Sequence, residues 1–204
     1  MATVHDLERT TPTARAAAKH EEKWLADVFA RAFWNDPIFG WLHPNTRTRY
    51  AAMRRFFLVE IRVNRKTGRT VTTTDLAAVA AWSSPGHWKA GPIETIRMAP
   101  AGLLLASDPK AAMAMFAKME KAHPTEPHWY LATVGSDPNR RGTGAGAVVI
   151  NAVLDDCDRD GLAAYLESSK PENVPYYERF GFVARAAISA GGSPPLVPMW
   201  RDPR

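Results

Sequence analysis

The chain has 204 residues, enough for one sizeable domain; 46% hydrophobic and 23% charged residues suit a globular protein, and no apolar run reaches membrane-spanning length. A single cysteine, Cys157, excludes an internal disulfide and fits a reducing compartment. The formal charge of +5 favours anionic ligands, phosphates and nucleic acid among them, without choosing between them.

In chain order, residues 1–11 are polar and read as a loose tail, leaving 12–204 as the domain. The opening segment has no apolar core of a secretory signal, so a cytoplasmic location and no membrane partner are expected. From Glu21 to Phe33, apolar residues Trp24, Leu25, Val28, Phe29 and Ala32 recur at helical spacing until "WNDP" stops the pattern. A second helix is predicted over 46–63, where Tyr50, Met53, Phe57 and Ile61 recur at helical steps. The arginines around that stripe read as the solvated side of an amphipathic helix.

Strands follow at Thr70–Thr73 and Leu76–Ser83, with a tight turn near Asp75. Helices are predicted over 92–106 and 109–121, then a strand from His128 to Gly135. After a glycine-rich turn and a further helix, "GLAAYLES" is nearly all apolar, as a strand buried on both faces should be. "ENVPYYERF" reads as a short helix, "GFVARAA" as a strand and "PLVPMW" as a last one. The order is that of an α/β fold with a mixed sheet.

The stretch "RRGTGAG", Arg140 to Gly146, stands between strand and helix. A helix N-terminus leaves backbone N–H groups unpaired and carries partial positive charge, and glycine lets a phosphate approach them. The stretch therefore looks like a phosphate cradle. It lacks the Gly-Lys-Ser/Thr end of a Walker loop, and its Gly-x-Gly-x-Gly spacing late in the chain does not suit a dinucleotide fold. In the helix beyond it, Ile150, Val153, Leu154 and Cys157 form one apolar stripe, while Asp155, Asp156, Asp158 and Asp160 stay wet.

Arg141-x-x-Gly144-x-Gly146 resembles the signature with which the GNAT superfamily of N-acetyltransferases holds the pyrophosphate of coenzyme A. "ENVPYYERFGF" resembles that superfamily's second signature, an Asn followed by a Tyr four residues before Gly-Phe, here Asn173 and Tyr177. Residues 126–183, and more weakly 76–90, further resemble the puromycin N-acetyltransferases. The resemblance implies a single-domain, mostly antiparallel central sheet flanked by helices and splayed at an acetyl-CoA site. It implies a cofactor site at Val134, Gly135, Ser136, Arg141, Gly142, Thr143, Gly144, Ala145, Gly146, Asn173 and Tyr177. Two residues depart from the pattern: Ser136 replaces the usual Val, and Arg141 replaces the Gln of puromycin acetyltransferases.

Acetyl transfer to an amine needs an acid for the departing sulfur and a base for the ammonium. Tyr177 is the candidate acid, one helical turn from Asn173 if Asn173 caps the short helix; Tyr176, rotated away beside Phe180, reads as core or pocket wall. With reference pKa values of about 10 for tyrosine and about 8.5 for a thiol, full proton transfer is uphill by roughly 2 kcal/mol, so Tyr177 acts partly as a hydrogen-bond donor. Glu167, at the end of "YLES", is the candidate base, with binding of the substrate cation as its alternative role. Trp34, Asp36, Phe39 and Trp41 are the candidate substrate-binding residues, aromatic walls and one acid that suit a bulky amine, or else simply core. The six histidines show no metal-binding spacing, and no metal is expected.

The expected activity is acetyl-CoA-dependent acetylation of a small-molecule amine by direct attack, with the chain a monomer or homodimer. The alternatives are acetylation of protein lysines or N-termini, or a non-catalytic module binding acyl-CoA or nucleic acid. Nucleic acid is the less expected partner, because the aromatics of 46–63 are already spent on the apolar stripe.

Overall fold

A computed structural model describes residues 12–89 and 91–204; the expected tail, 1–11, lies outside the described residues. The chain runs β1 (Ala14–Ala16), α1 (Glu22–Ala32), α2 (Pro37–Leu42), α3 (Thr46–Thr67), β2 (Gly68–Thr73), β3 (Ala78–Ser83), α4 (Pro92–Leu105) and α5 (Pro109–Ala122). It continues through β4 (His128–Ser136), α6 (Ala145–Asp160), β5 (Ala163–Ser168), α7 (Val174–Glu178), β6 (Val183–Ala184) and β7 (Val197–Arg201). The strands form one sheet of seven in the order β1-β2-β3-β4-β5-β7-β6. Every neighbouring pair is antiparallel except β4 and β5.

β3 explains the layering. All six of its residues are buried, as a strand covered on both faces requires. Ala78, Ala80 and Trp82 pack towards α6, whose Val149, Ile150, Val153, Leu154 and Cys157 fill that side. Val79 and Ala81 point the other way, into the layer made by α1 and α3 with Leu25, Phe29, Met53, Phe57 and Ile61. Each such apolar side chain contributes about 1.5–3 kcal/mol when fully buried, so the two layers hold the sheet from both sides. Three arginines of α3 form ion pairs, Arg54 with Asp27 and both Arg62 and Arg65 with Glu22.

The predicted elements recur with four differences. Strand β1 was not anticipated; it is a three-residue edge paired to Val71–Thr73. Helix α2 was not anticipated either, because a six-residue helix shows too little periodicity to detect. Leu76 lies outside β3, at φ +56° in the turn between β2 and β3. "GFVARAA" contributes only Val183 and Ala184 as a strand, with one further bridge from Ile188 to Leu196.

Candidate active site

The parallel pairing of β4 with β5 covers only His128–Tyr130 against Ala163–Tyr165. Beyond Tyr130, β4 stays bound to β3, with a bulge at Ala132 where the register shifts between Ala81 and Trp82. The two central strands therefore part company, and the gap opens into a cavity of about 1720 Å³. It reaches from the glycine loop at the start of α6 to a chamber walled by α2, α3, α4 and α5.

At the first end, Gly142 and Gly144 hold φ of +77° and +82°, left-handed values that L side chains adopt only under strain. The turn aims the start of α6 into the cavity, and no side chain caps its N-terminus. Gly146 is needed for room: a Cβ there would stand 3.0 Å from the Tyr176 hydroxyl and 3.1 Å from Ser136 Oγ. Arg141, Lys170 and Arg179 add positive charge along the lining, and Arg141 and Arg179 pair with no carboxylate among the described residues. Arg140 is neutralised by Asp75, which ties the loop to the β2–β3 turn. Uncapped N–H groups, left-handed glycines and clustered cations suit the phosphates of coenzyme A.

Of the expected cofactor residues, Val134, Gly135, Ser136, Arg141, Gly142, Gly144, Ala145, Gly146, Asn173 and Tyr177 all line the cavity. Thr143 does not; its hydroxyl turns back to donate to the Arg140 carbonyl at 2.8 Å. Asn173 does not cap α7 through its side chain, because it already has helical backbone angles after a preceding turn of 3-10 helix. Arg179, which stacks over the Tyr176 ring at 4.8 Å, was missed: an arginine on a short helix carries no sequence signal of its own.

Tyr177 is buried while Tyr176 is half-buried, and both border the cavity. Burial, then the neighbouring Tyr176 and Asp36, push the Tyr177 phenol upward, so it stays protonated and able to donate. Glu167 stands across the cavity with its side chain only 2% exposed. Its Oε1 lies 3.8 Å from His123 Nδ1, and the carboxyl interacts with the hydroxyls of Tyr130 and Tyr165. His123 stacks on Trp88 and meets His128 Nε2 to Nε2 at 3.0 Å, and His128 Nδ1 reaches the Glu126 carbonyl at 2.6 Å. A carbonyl can only accept, so His128 carries its proton on Nδ1 and His123 Nε2 donates to His128. Burial lowers the His128 pKa, consistent with a neutral ring there.

Glu60 of α3 was also missed, since in sequence it is one charge among many on an amphipathic helix. Thr133 donates to its Oε1 at 2.6 Å while Oε2 is sealed from solvent without a partner. Burial pushes this carboxyl up to about 7, the Thr133 bond opposing. A buried acceptor left unpaired costs about 1–3 kcal/mol, more when charged, so Glu60 is an expensive residue to keep here.

The four substrate candidates divide. Phe39 and Trp41 line the chamber beside Phe33 and Phe56. Trp34 is absent from the lining; its ring lies under Arg49 instead, 5.4 Å from centroid to guanidinium. Asp36 borders the cavity with both oxygens committed. Oδ1 caps α2, accepting from the Ile38 and Phe39 amides at 2.9 and 3.3 Å, and Oδ2 accepts from Ser169.

A family model described as the acetyltransferase (GNAT) family matches residues 73–182, more than half of the chain. The chain belongs to the GNAT family of acetyltransferases, and it is an enzyme of the acyltransferase class. A Schizosaccharomyces pombe protein described as an uncharacterized N-acetyltransferase is 27% identical over 186 residues, 85% of this chain and 75% of that one. A Corynebacterium glutamicum structure described as histone acetyltransferase HPA2 and related acetyltransferase superposes with a TM-score of 0.71 at 26% identity, covering 95% of this chain and 97% of that one. A Staphylococcus aureus N-acetyltransferase shares the fold at a TM-score of 0.56 and 11% identity, over 92% and 99% of the two chains.

Proposed function

We propose that this protein transfers an acetyl group from acetyl-CoA to a primary amine of a small molecule. The observation that carries the reading is the continuity of one cavity from the glycine cradle, past Tyr177 and Glu167, into an aromatic chamber. When bound, acetyl-CoA supplies an activated acetyl group and a thiol leaving group. The N–H groups from Arg141 to Gly146 receive its phosphates, and the edge of β4 at Val134–Ser136 supplies donors for pantetheine and the developing oxyanion. The Tyr177 hydroxyl donates towards the sulfur, and a carboxylate of the chamber, Glu167 in the first instance, removes the ammonium proton.

The name of the Corynebacterium structure raises a second reading, acetylation of protein lysines. The aromatic lining that α2 and α3 give the chamber, with Phe39, Trp41 and Phe56, favours a small apolar acceptor over a polypeptide. Puromycin belongs among the amines to test because of the resemblance at 76–90 and 126–183, and a cytoplasmic site of action accords with the single cysteine.

The test is thiol release from acetyl-CoA over a panel of primary amines that includes puromycin. Turnover with at least one amine is expected, with kcat lowered about 100-fold or more in Tyr177→Phe. Absence of turnover across the panel, or an unimpaired Tyr177→Phe, contradicts the reading.

A further inference from the structure

Of the eight large apolar side chains more than half exposed among the described residues, six lie on two neighbouring helices. Ile93, Ile96, Leu103 and Leu104 belong to α4, and Met113 and Phe116 to α5. Single exposed apolar residues are ordinary, whereas a concentration of them marks a surface that something covers. Helix α4 carries only two charges, Glu94 and Arg97, which stand 4.0 Å apart on the helix's own surface. One of its sides is spent inside the molecule. Ala101 and Leu105 are buried, Leu105 against the core of α1 and α3, and Met98 and Gly102 line the cavity. An amphipathic helix would be polar on its other side. Here that side carries Ile93, Ile96, Pro100 and Leu103, with Leu104 next to them, and Ile96 is 73% exposed. At about 3.6 residues per turn, steps of three, four and three residues bring these four onto one stripe, roughly opposite Met98 and Leu105. The helix is thus apolar all round, the pattern of a helix covered on both sides.

The spacing itself selects what covers it. Three, four, three reads the same from either end, so a second α4 laid antiparallel sets Ile93 against the partner's Leu103 and Ile96 against the partner's Pro100. Such a repeat is that of a pair of helices, and a two-fold axis makes each contact occur twice. A lipid surface fits less well, because it calls for basic residues along the flanks of the apolar face, and α4 offers only Arg97, beside Glu94. A partner chosen by charge would find nothing but that pair. At about 150–200 Å² for a side chain of this size, the six exposed residues present roughly 600 Å² per copy. Two copies would then bury about 1,200 Å², the lower end of the range for specific interfaces.

We infer that two copies of this chain associate through the outer face of α4, antiparallel about a two-fold axis at the level of Met98, with Met113 and Phe116 of α5 enlarging the apolar contact. Leu103 belongs to the stripe and also lines the cavity, as do Met113 and Phe116, so the interface borders the chamber. The association is read by mass alone and stands whether or not the chain transfers acetyl groups.

Sedimentation velocity of the full chain from about 1 to about 100 μM spans the affinities expected of an interface this small. The expected result is a concentration-dependent shift to twice the mass of one chain. Ile96→Glu, at an exposed position outside the cavity lining, should weaken the association at least tenfold. A chain that stays monomeric throughout, or a dimer that Ile96→Glu leaves intact, overturns the inference. A monomer that floats with phosphatidylcholine vesicles would give the stripe to a lipid surface instead. The antiparallel register has its own test. Ile93→Lys and Leu103→Glu should each weaken self-association, and an equimolar mixture of the two should recover a mixed dimer at least tenfold tighter than either variant alone. The new ammonium and carboxylate then face each other across the pair, whereas each variant by itself places an unpaired charge there twice. A mixture no tighter than its components overturns the antiparallel pairing. If Ile96→Glu fails to melt cooperatively, the mixed pair decides.

Discussion

The Glu60 carboxyl has a consequence for stability that can be checked without knowing the substrate. Held at about 7 against an ordinary 4.5, it binds its proton more tightly in the folded chain than in the unfolded one. Between those two values the folded protein keeps a proton that the unfolded chain has lost. Stability therefore falls as pH rises from about 4.5 to about 7 and levels off above, by about 3 kcal/mol at 1.36 kcal/mol per unit. Glu60→Gln removes the charge and keeps an oxygen for Thr133, so it should raise the melting temperature at pH 8 while matching the parent at pH 4.5. Melting curves at the two pH values check this; an equal change at both would mean that Glu60 is ionised and solvated in the folded chain.

At the scale of elements, α1 lies close against β4 where β4 has left β5. Gly135 makes that approach possible, since a Cβ there would stand 2.8 Å from the Cβ of Ala32 and 3.3 Å from the Phe29 ring. Gly135→Ala should push α1 outward and cost about 1–3 kcal/mol as an overpacked contact. Adding Ala32→Gly removes the shortest of these contacts but costs about 1 kcal/mol of helix propensity, so the double variant should be less destabilised than the sum of the two singles. A double-mutant cycle by urea denaturation measures the coupling; strict additivity would show that the two elements do not touch there. The glycine loop obeys a different constraint. At Gly144 the space around a Cβ is open and the left-handed backbone alone excludes a side chain, whereas at Gly146 the angles are ordinary and the room is lacking.

At the scale of the whole molecule, the charges divide along the cavity. Cations from the glycine loop, the segment after β5 and the end of α7 gather at one end, and the carboxyl groups of Glu60 and Glu167 line the other. Such a polarity matches a polyanionic cofactor entering from one side and a cationic acceptor seated at the other. Acetyl-CoA at a hundred times its Kd should stabilise the chain by about 2.7 kcal/mol if it binds only the folded state. Because the cations are largely exposed, its affinity should weaken measurably between 0.05 and 0.5 M salt. Thermal-shift titration at the two ionic strengths tests both; a salt-independent affinity would place the cofactor's phosphates away from Arg141 and Arg179.

Helix and strand positions were legible in the sequence wherever periodicity or turn chemistry is local. The stripe of α6, the double-sided burial of β5 and the glycine-rich turn before α6 belong to this kind, while the pair of signatures at Arg141–Gly146 and at Asn173 and Tyr177 was read from resemblance to a family. Such patterns are written by neighbours a few residues apart, and the same local physics acts in the folded chain. What only the tertiary structure decided is who meets whom across the sheet. Asp36 looked free for a substrate and is spent on capping α2 and on Ser169, far along the chain; Trp34 looked like a pocket wall and sits under Arg49 instead. Glu60 and Glu167 carry no common spacing, yet the packing of α3 over the diverging strands brings both to one cavity, because burial and the pairing of charges depend on the path of the whole chain.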